Sequence, residues 1–153
     1  MQDRVINLKK NAAILKAAVE LFPKHGFEKT TMDDIAKRAG VTKQTVYSHF
    51  KNKEQIVREL FKKCAAETIT VWKPQTRMAK TKQKIQLIDF VDRNLGLYWK
   101  YRFFHREMYI LRKKDAELSK LWHRHTKKTG LLMTILYKHW VKSGYMEKIQ
   151  SRY

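Results

Sequence analysis

The stretch from Thr30 to Lys53, TTMDDIAKRAGVTKQTVYSHFKNK, leaves few folds open. Thr31 precedes an apolar-periodic run and has Asp34 three residues on, a carboxylate version of the capping box. Met32, Ile35, Ala36 and Ala39 then follow the i, i+3, i+4, i+7 spacing of one buried helix face. Gly40 offers the left-handed backbone position that ends a helix sharply. Val41 is apolar in the turn and is expected to plug the gap between two helices. Thr42 can cap a second helix by accepting a backbone N–H bond. Within it, Val46 and Phe50 lie one turn apart and face inward, leaving Lys43, Gln44, Thr45, Tyr47, Ser48 and His49 outward or flanking. Asn52 is a good N-cap and Gln55 falls at the third helical position, so a third helix starts at once.

Two short helices about a glycine turn place the polar face of the second where a DNA major groove can receive it. A reading helix needs short polar donors and acceptors near its N-terminal end, because that end enters the groove. Lys43 can donate to guanine acceptors and Gln44 can pair with adenine through two bonds. Thr45 can touch a thymine methyl or a phosphate, and Tyr47 and His49 have the reach for backbone phosphate. Lys53 stands in a first helical turn, where a cation opposes the helix dipole; a phosphate bound there reverses the sign of that interaction. Against this stands a bland reading: such helix pairs also occur in helical proteins that bind nothing, with the polar face simply solvated.

The run AGVTKQTVYSHFKNK resembles the tetracycline-repressor (TetR) family of bacterial transcriptional regulators. The matching residues are Ile35, Ala36, Ala39, Gly40, Val41, Tyr47, His49, Phe50, Lys51 and Lys53, and the match runs from about Asn7 to Leu60. The preceding helix fits as well: Ile14, Leu15, Ala18, Leu21 and Phe22 form a stripe closed by Gly26 and Phe27, with Pro23 expected to kink the helix or end it early. The resemblance implies phosphate contacts from Thr31, Tyr47, Lys53 and His49. It implies base contacts from Lys43, Gln44 and Thr45, with Thr42 and Ser48 in the same DNA-binding set. It also implies a homodimer reading a palindromic operator, and release by a small-molecule effector. Family members are usually longer, and this sequence stops near where their dimer helices begin, so those helices are expected to be missing.

Charge and cysteine content narrow the class further. The formal charge is +20, with 12 Lys and Arg against 7 Asp and Glu up to Leu60, and 22 against 7 beyond it. A field of this sign attracts polyanions and makes DNA binding salt-dependent. The heavier excess lies outside the reading module, and coated amphipathic helices are the plainer account of it. Cys64 is the single cysteine, which excludes an intrachain disulfide and fits a reducing compartment. No segment reads as a signal peptide or a bilayer span, so a cytoplasmic location is expected.

The expected architecture is all-α: a helix-turn-helix DNA-binding domain over residues 1–60 and a helical ligand-binding and dimerisation domain over 61–153. A fourth helix is expected from Lys53 to Trp72 with Ile56, Leu60 and Phe61 inward, ended by Pro74, and a loop from Gln75 to Lys82. A fifth helix carries Ile88, Val91, Leu95 and Tyr98 along one stripe. An aromatic-rich helix spans Tyr101 to Lys114. A long helix follows with Leu118, Leu121, Trp122, His125, Leu132, Ile135, Leu136 and Trp140 on one side, ended by Ser143 and Gly144. Tyr145 to Tyr153 read as a beginning that is not continued.

Trp99, Phe103, Tyr109 and Trp122, with Arg102 and Arg106 one turn apart for an anionic head group, are the candidate effector-binding residues; ordinary helical core is the competing account. No phosphate loop, metal-ligand spacing or acid/base pair points to catalysis, and no cofactor or metal is expected. Two alternatives to an operator-reading regulator remain: an interaction protein that keeps the fold without reading DNA, and a nonspecific nucleic-acid binder driven by the basic second half.

Overall fold

A computed structural model describes residues 2–80 and 87–144. The described residues form seven helices and no strand: α1 (Gln2–His25), α2 (Met32–Ala39), α3 (Lys43–His49), α4 (Lys53–Lys80), α5 (Leu87–Lys100), α6 (Arg102–Lys114) and α7 (Ala116–Lys142).

The first three helices obey local chemistry. Thr31 caps α2 by accepting the Asp34 N–H at 3.1 Å, while the Asp34 carboxylate accepts the Thr31 N–H at 2.9 Å and hydroxyl at 2.7 Å. A cap of this kind is worth about 1 kcal/mol. Gly40 closes α2 at φ 67°, where a Cβ would strain the backbone. Thr42 caps α3 through the Thr45 N–H at 3.2 Å, and Asn52 begins α4 through the Gln55 N–H at 2.9 Å. Pro23 does not stop α1, which runs two residues further and ends at Gly26 with φ 82°. Proline at that point removes one donor, and the following turn closes through Gly26 N–H to Phe22 O at 2.9 Å.

Ile14, Ala18 and Phe22 of α1, Ile35 of α2, Val46 of α3 and Ile56 and Leu60 of α4 are buried to within 1% of full burial. The same apolar cluster continues without a break into Phe103 and Phe104 of α6 and Leu118 of α7. Phe22 and Phe103 rings meet at 5.3 Å between centroids, which joins α1 to α6. Residue 60 is therefore crossed by one continuous core.

Two polar ties reinforce this junction. Arg106 of α6 donates to the Phe22 carbonyl at 3.2 Å and the Pro23 carbonyl at 3.4 Å, satisfying acceptors at the end of α1. Its neighbour Glu107 accepts the Phe27 N–H at 3.0 Å. Arg58 of α4 donates to Asp115 at 2.7 Å, and Asp115 caps α7 through the Leu118 N–H at 3.0 Å.

The fourth helix corrects the sequence reading. It passes through Pro74 and runs to Lys80, so Gln75–Lys80 is helix rather than loop, and residues 81–82 lie outside the described residues. A proline inside a helix costs about 3 kcal/mol. Here Val71, Trp72, Met78 and Ala79 pack around Phe90, Leu136 and Trp140 in a second apolar cluster, and burial of side chains of this size repays that cost.

The fifth helix is also rotated from the expected stripe. Ile88, Val91, Leu95 and Tyr98 are exposed, while Phe90, Asn94, Leu97 and Tyr101 turn inward. A polar Asn94 on the inner face hides the pattern. Its side chain accepts from Trp72 Nε1 at 2.6 Å and donates to the Phe90 carbonyl at 2.6 Å, so it stands half-buried with both polar ends engaged. The aromatic-rich helix and the long helix stand where expected, and Ser143 and Gly144 (φ 73°) close α7. Tyr145 to Tyr153 lie outside the described residues.

Candidate nucleic-acid interface and effector cavity

The outer face of α3 is set by what its inner face buries. Val46 and Phe50 are pinned in the core, which fixes the rotation of a seven-residue helix and turns Lys43, Gln44, Tyr47 and Ser48 outward. Gln44 and Tyr47 are exposed, and among the described residues no hydrogen bond or ion pair engages either side chain. Lys43 is exposed too, but its ammonium meets Asp33 at 3.0 Å, and that bond and charge raise the lysine above its ordinary range. The Thr42 and Thr45 hydroxyls lie 2.9 Å apart, and Ser48 donates to the Thr45 carbonyl at 2.8 Å, so these short side chains are held in place. His49 is half-buried. With Thr45 and Ser48 it lines a shallow groove of about 280 Å³ against Ile6, Asn7 and Lys10, which brings the start of α1 beside α3.

Lys53 departs from its expected surroundings. Its ammonium sits 4.5 Å from the centre of the Phe27 ring and donates to the carbonyls of Phe27 at 2.8 Å and Glu28 at 3.2 Å. These acceptors stabilise a cation in the first turn of α4 without a phosphate. Thr31 is exposed, with its hydroxyl held by Asp34.

The six candidate effector residues do not converge. Phe103 is fully buried against Phe22. Trp99 is two-thirds exposed and covered on one side by the Arg102 guanidinium, while Tyr109 is exposed beside Arg112 and Lys113. Arg106 is occupied by the end of α1. Of the six, Trp122 alone lines the cavity described next. The four candidates on α6 are spread over different faces of it, because α6 packs against α1 as well as α7.

That cavity, of about 530 Å³, lies between α4, α5, the start of α6, and α7. Phe61, Trp72, Leu97, Phe104 and Trp122 make it mainly apolar. Two of its threonines are satisfied within their own helices: Thr68 donates to the Cys64 carbonyl at 2.8 Å and Thr129 to the His125 carbonyl at 3.0 Å. Burial holds His105 below the ordinary imidazole range; burial first, and then Lys128, does the same to His125. Both rings are therefore neutral at pH 7, and the wall carries no charge there. Sequence reading missed these residues. The pairs Cys64/Thr68 and His125/Thr129, each four apart on a helix, are the signal that was available.

Burial also pushes the Cys64 thiol up to about 11. At pH 8, iodoacetamide should therefore alkylate Cys64 of the native chain ~100-fold more slowly than that of the urea-unfolded chain. Equal rates, followed by mass spectrometry, would show that the cavity wall is open to solvent.

Residues 14–60 match the family described as bacterial regulatory proteins, tetR family. A fatty acid metabolism regulator protein of Bacillus subtilis is 37% identical over 76 residues, which is 49% of this chain and 39% of that protein. The sequence match thus spans well under two thirds of the regulator's length. A solved TetR-family regulator from Marinobacter aquaeolei VT8 superposes with a TM-score of 0.78 over 92% of this chain and 68% of that one, at 23% identity. The FadR regulator of Bacillus subtilis, solved with stearoyl-CoA, superposes with a TM-score of 0.62 over 92% of this chain and 75% of that one, also at 23% identity. These two likenesses carry the all-helical fold through the second half. The matched proteins are regulators, not enzymes. Residues 14–60 thus carry the helix-turn-helix described for the tetR family of bacterial regulatory proteins.

Proposed function

We propose that this chain is a transcriptional repressor that reads duplex DNA with α3, and that an apolar effector in the cavity between α4, α5, α6 and α7 releases it. The observation that carries the DNA reading is the pair Gln44 and Tyr47, exposed and unengaged on a short helix locked by Val46 and Phe50. Gln44 presents both a donor and an acceptor, the pattern adenine takes up in the major groove. Tyr47 has the reach for a phosphate, and Thr31, Thr42, Lys43, Thr45, Ser48 and His49 flank the same surface in this reading. Lys43 exchanges Asp33 for DNA. Lys53 acts mainly within the monomer, bracing the turn before α2. Two copies of the chain would read the two halves of a palindrome.

The cavity supports the second half of the proposal by its size and by its uncharged, mainly apolar wall, which favours an apolar molecule. The FadR structure with stearoyl-CoA shows that a long-chain ligand is held by a protein of this fold.

Selection of preferred sequences from random duplexes tests the DNA reading. Gln44→Ala should relax preference at one base pair by about 1–3 kcal/mol and leave affinity for competitor DNA unchanged. A second reading, nonspecific polyanion binding, is favoured by the 22 Lys and Arg against 7 Asp and Glu beyond Leu60. It predicts no enriched sequence at all, with affinity falling steeply as salt rises and indifferent to Gln44→Ala.

A further inference from the structure

One face of α5 packs on α4 and the end of α7, and the opposite face is bare. Along the bare face Ile88, Val91, Leu95 and Tyr98 follow each other at i, i+3, i+7 and i+10, the spacing of a seam between two helices. Ile88 is 87% exposed, Leu95 61% and the neighbouring Trp99 67%. The two rings are already held: Tyr98 stacks on His105 at 4.3 Å between centroids, and the Arg102 guanidinium covers Trp99 at 4.6 Å. Ordering them on contact therefore costs little. Val91, Leu95 and Tyr98 also line the cavity, so the cavity opens on this same face. The five side chains present on the order of 600 Å² on each copy, and covering them in a pair of copies removes about 1,000 Å², the least that a specific interface takes.

Charge along the helix selects the occupant and its direction. Asp89 and Asp92 stand in the first half of α5, Lys100 at its end and Arg102 just beyond it. Asp89 is matched by Arg93 at 3.0 Å and Lys100 by Glu67 at 2.8 Å. Among the described residues, Asp92 and Arg102 have no ion-pair partner. A parallel pair of copies sets Asp92 against Asp92. An antiparallel pair centred on Leu95 brings Asp92 of each copy level with Trp99 of the other, and so to the guanidinium that covers it. The helix dipoles favour the same direction. We propose that this face is a self-association surface: two copies of the chain pair antiparallel through α5, with Leu95 at the two-fold axis, and each covers the α5 side of the other's cavity. The pairing does not depend on what α3 reads, and its failure leaves the DNA reading untouched.

Sedimentation velocity of the full chain from about 1 to 200 μM tests this, in roughly 0.3 M salt to screen the +20 charge that each copy carries. An interface at the small end of the range predicts a dissociation constant in the micromolar range. Leu95→Glu should raise that constant at least about tenfold, because it sets two carboxylates against each other in an apolar seam. Leu95 is exposed in the single chain, so the circular dichroism of the variant at low concentration should match wild type. Asp92→Arg should weaken the pair several-fold, and Asp92→Arg/Arg102→Asp should return it to within about threefold of wild type. A monomer at every concentration would overturn the proposal and leave the face to another segment of the chain or to a different protein. A dimer indifferent to Leu95→Glu would place the interface elsewhere and overturn it as well. A dimer broken by Leu95→Glu but unmoved by Asp92→Arg would overturn the antiparallel pairing.

Discussion

Phe103→Ala should lower the unfolding free energy by about 3–5 kcal/mol, the usual loss for a fully buried phenylalanine. Phe103 is completely covered, and its ring packs on Phe22 at 5.3 Å and on Phe104 at 4.0 Å. The cavity left by alanine would therefore face α1 and α6 together, and neither helix can close it without leaving its other partners. Urea unfolding followed by circular dichroism measures the size of the effect. It also tests the boundary drawn at residue 60. A core continuous from Ile14 to Leu118 predicts one transition, displaced as a whole by the substitution. If residues 1–60 unfold separately, a second transition untouched by Phe103→Ala will appear, and the two-domain division will hold as a thermodynamic statement.

Arg58→Ala should cost about 3 kcal/mol, the lower end of the range for removing one partner of a buried ion pair. The Asp115 side chain is only 9% exposed and that of Arg58 22%, so the carboxylate left behind has limited access to water. Alanine also removes the weaker contact from Arg58 Nε to Glu117 at 3.3 Å, which is largely exposed and contributes little. Asp115→Asn is the control. It removes the negative charge while retaining an oxygen to cap α7 at Leu118, and it leaves Arg58 a second partner in Glu117. The expected order of melting temperatures is wild type, then Asp115→Asn, then Arg58→Ala. The reverse order would mean that the carboxylate of Asp115 does not depend on Arg58 for its stability.

These two residues also mark where sequence reading stops. Thr31 with Asp34, Gly40, Thr42, and Asn52 with Gln55 are three or four residues from everything they need, so the helix-turn-helix is legible from spacing alone. Arg58 and Asp115 lie 57 residues apart, and nothing near either one announces the other. Pro74 reads as a stop because the local rule is strong, and only the packing of Met78 and Ala79 on Phe90 and Leu136 overrides it. In α5 the apolar count selects Ile88, Val91, Leu95 and Tyr98, yet the inward face carries Asn94, whose polarity is cancelled by Trp72 and a backbone carbonyl. Lys53 is the same lesson at the candidate site. Its position against the helix dipole is anomalous by the local rule, and two carbonyls and a ring from the segment between α1 and α2 stabilise it there. The outward set on α3 was legible because its two buried neighbours fix everything else. The cavity was not, because its walls come from four helices.

The grip of Arg106 and Glu107 on the last turn of α1 carries one more consequence. One residue holds carbonyls that end the helix, the other holds an amide just past it, and a pair of phenylalanine rings fills the space between the helices. Close-packed matter of this sort yields little under load. A displacement of α6 is therefore expected to carry the end of α1 with it rather than to be absorbed between them.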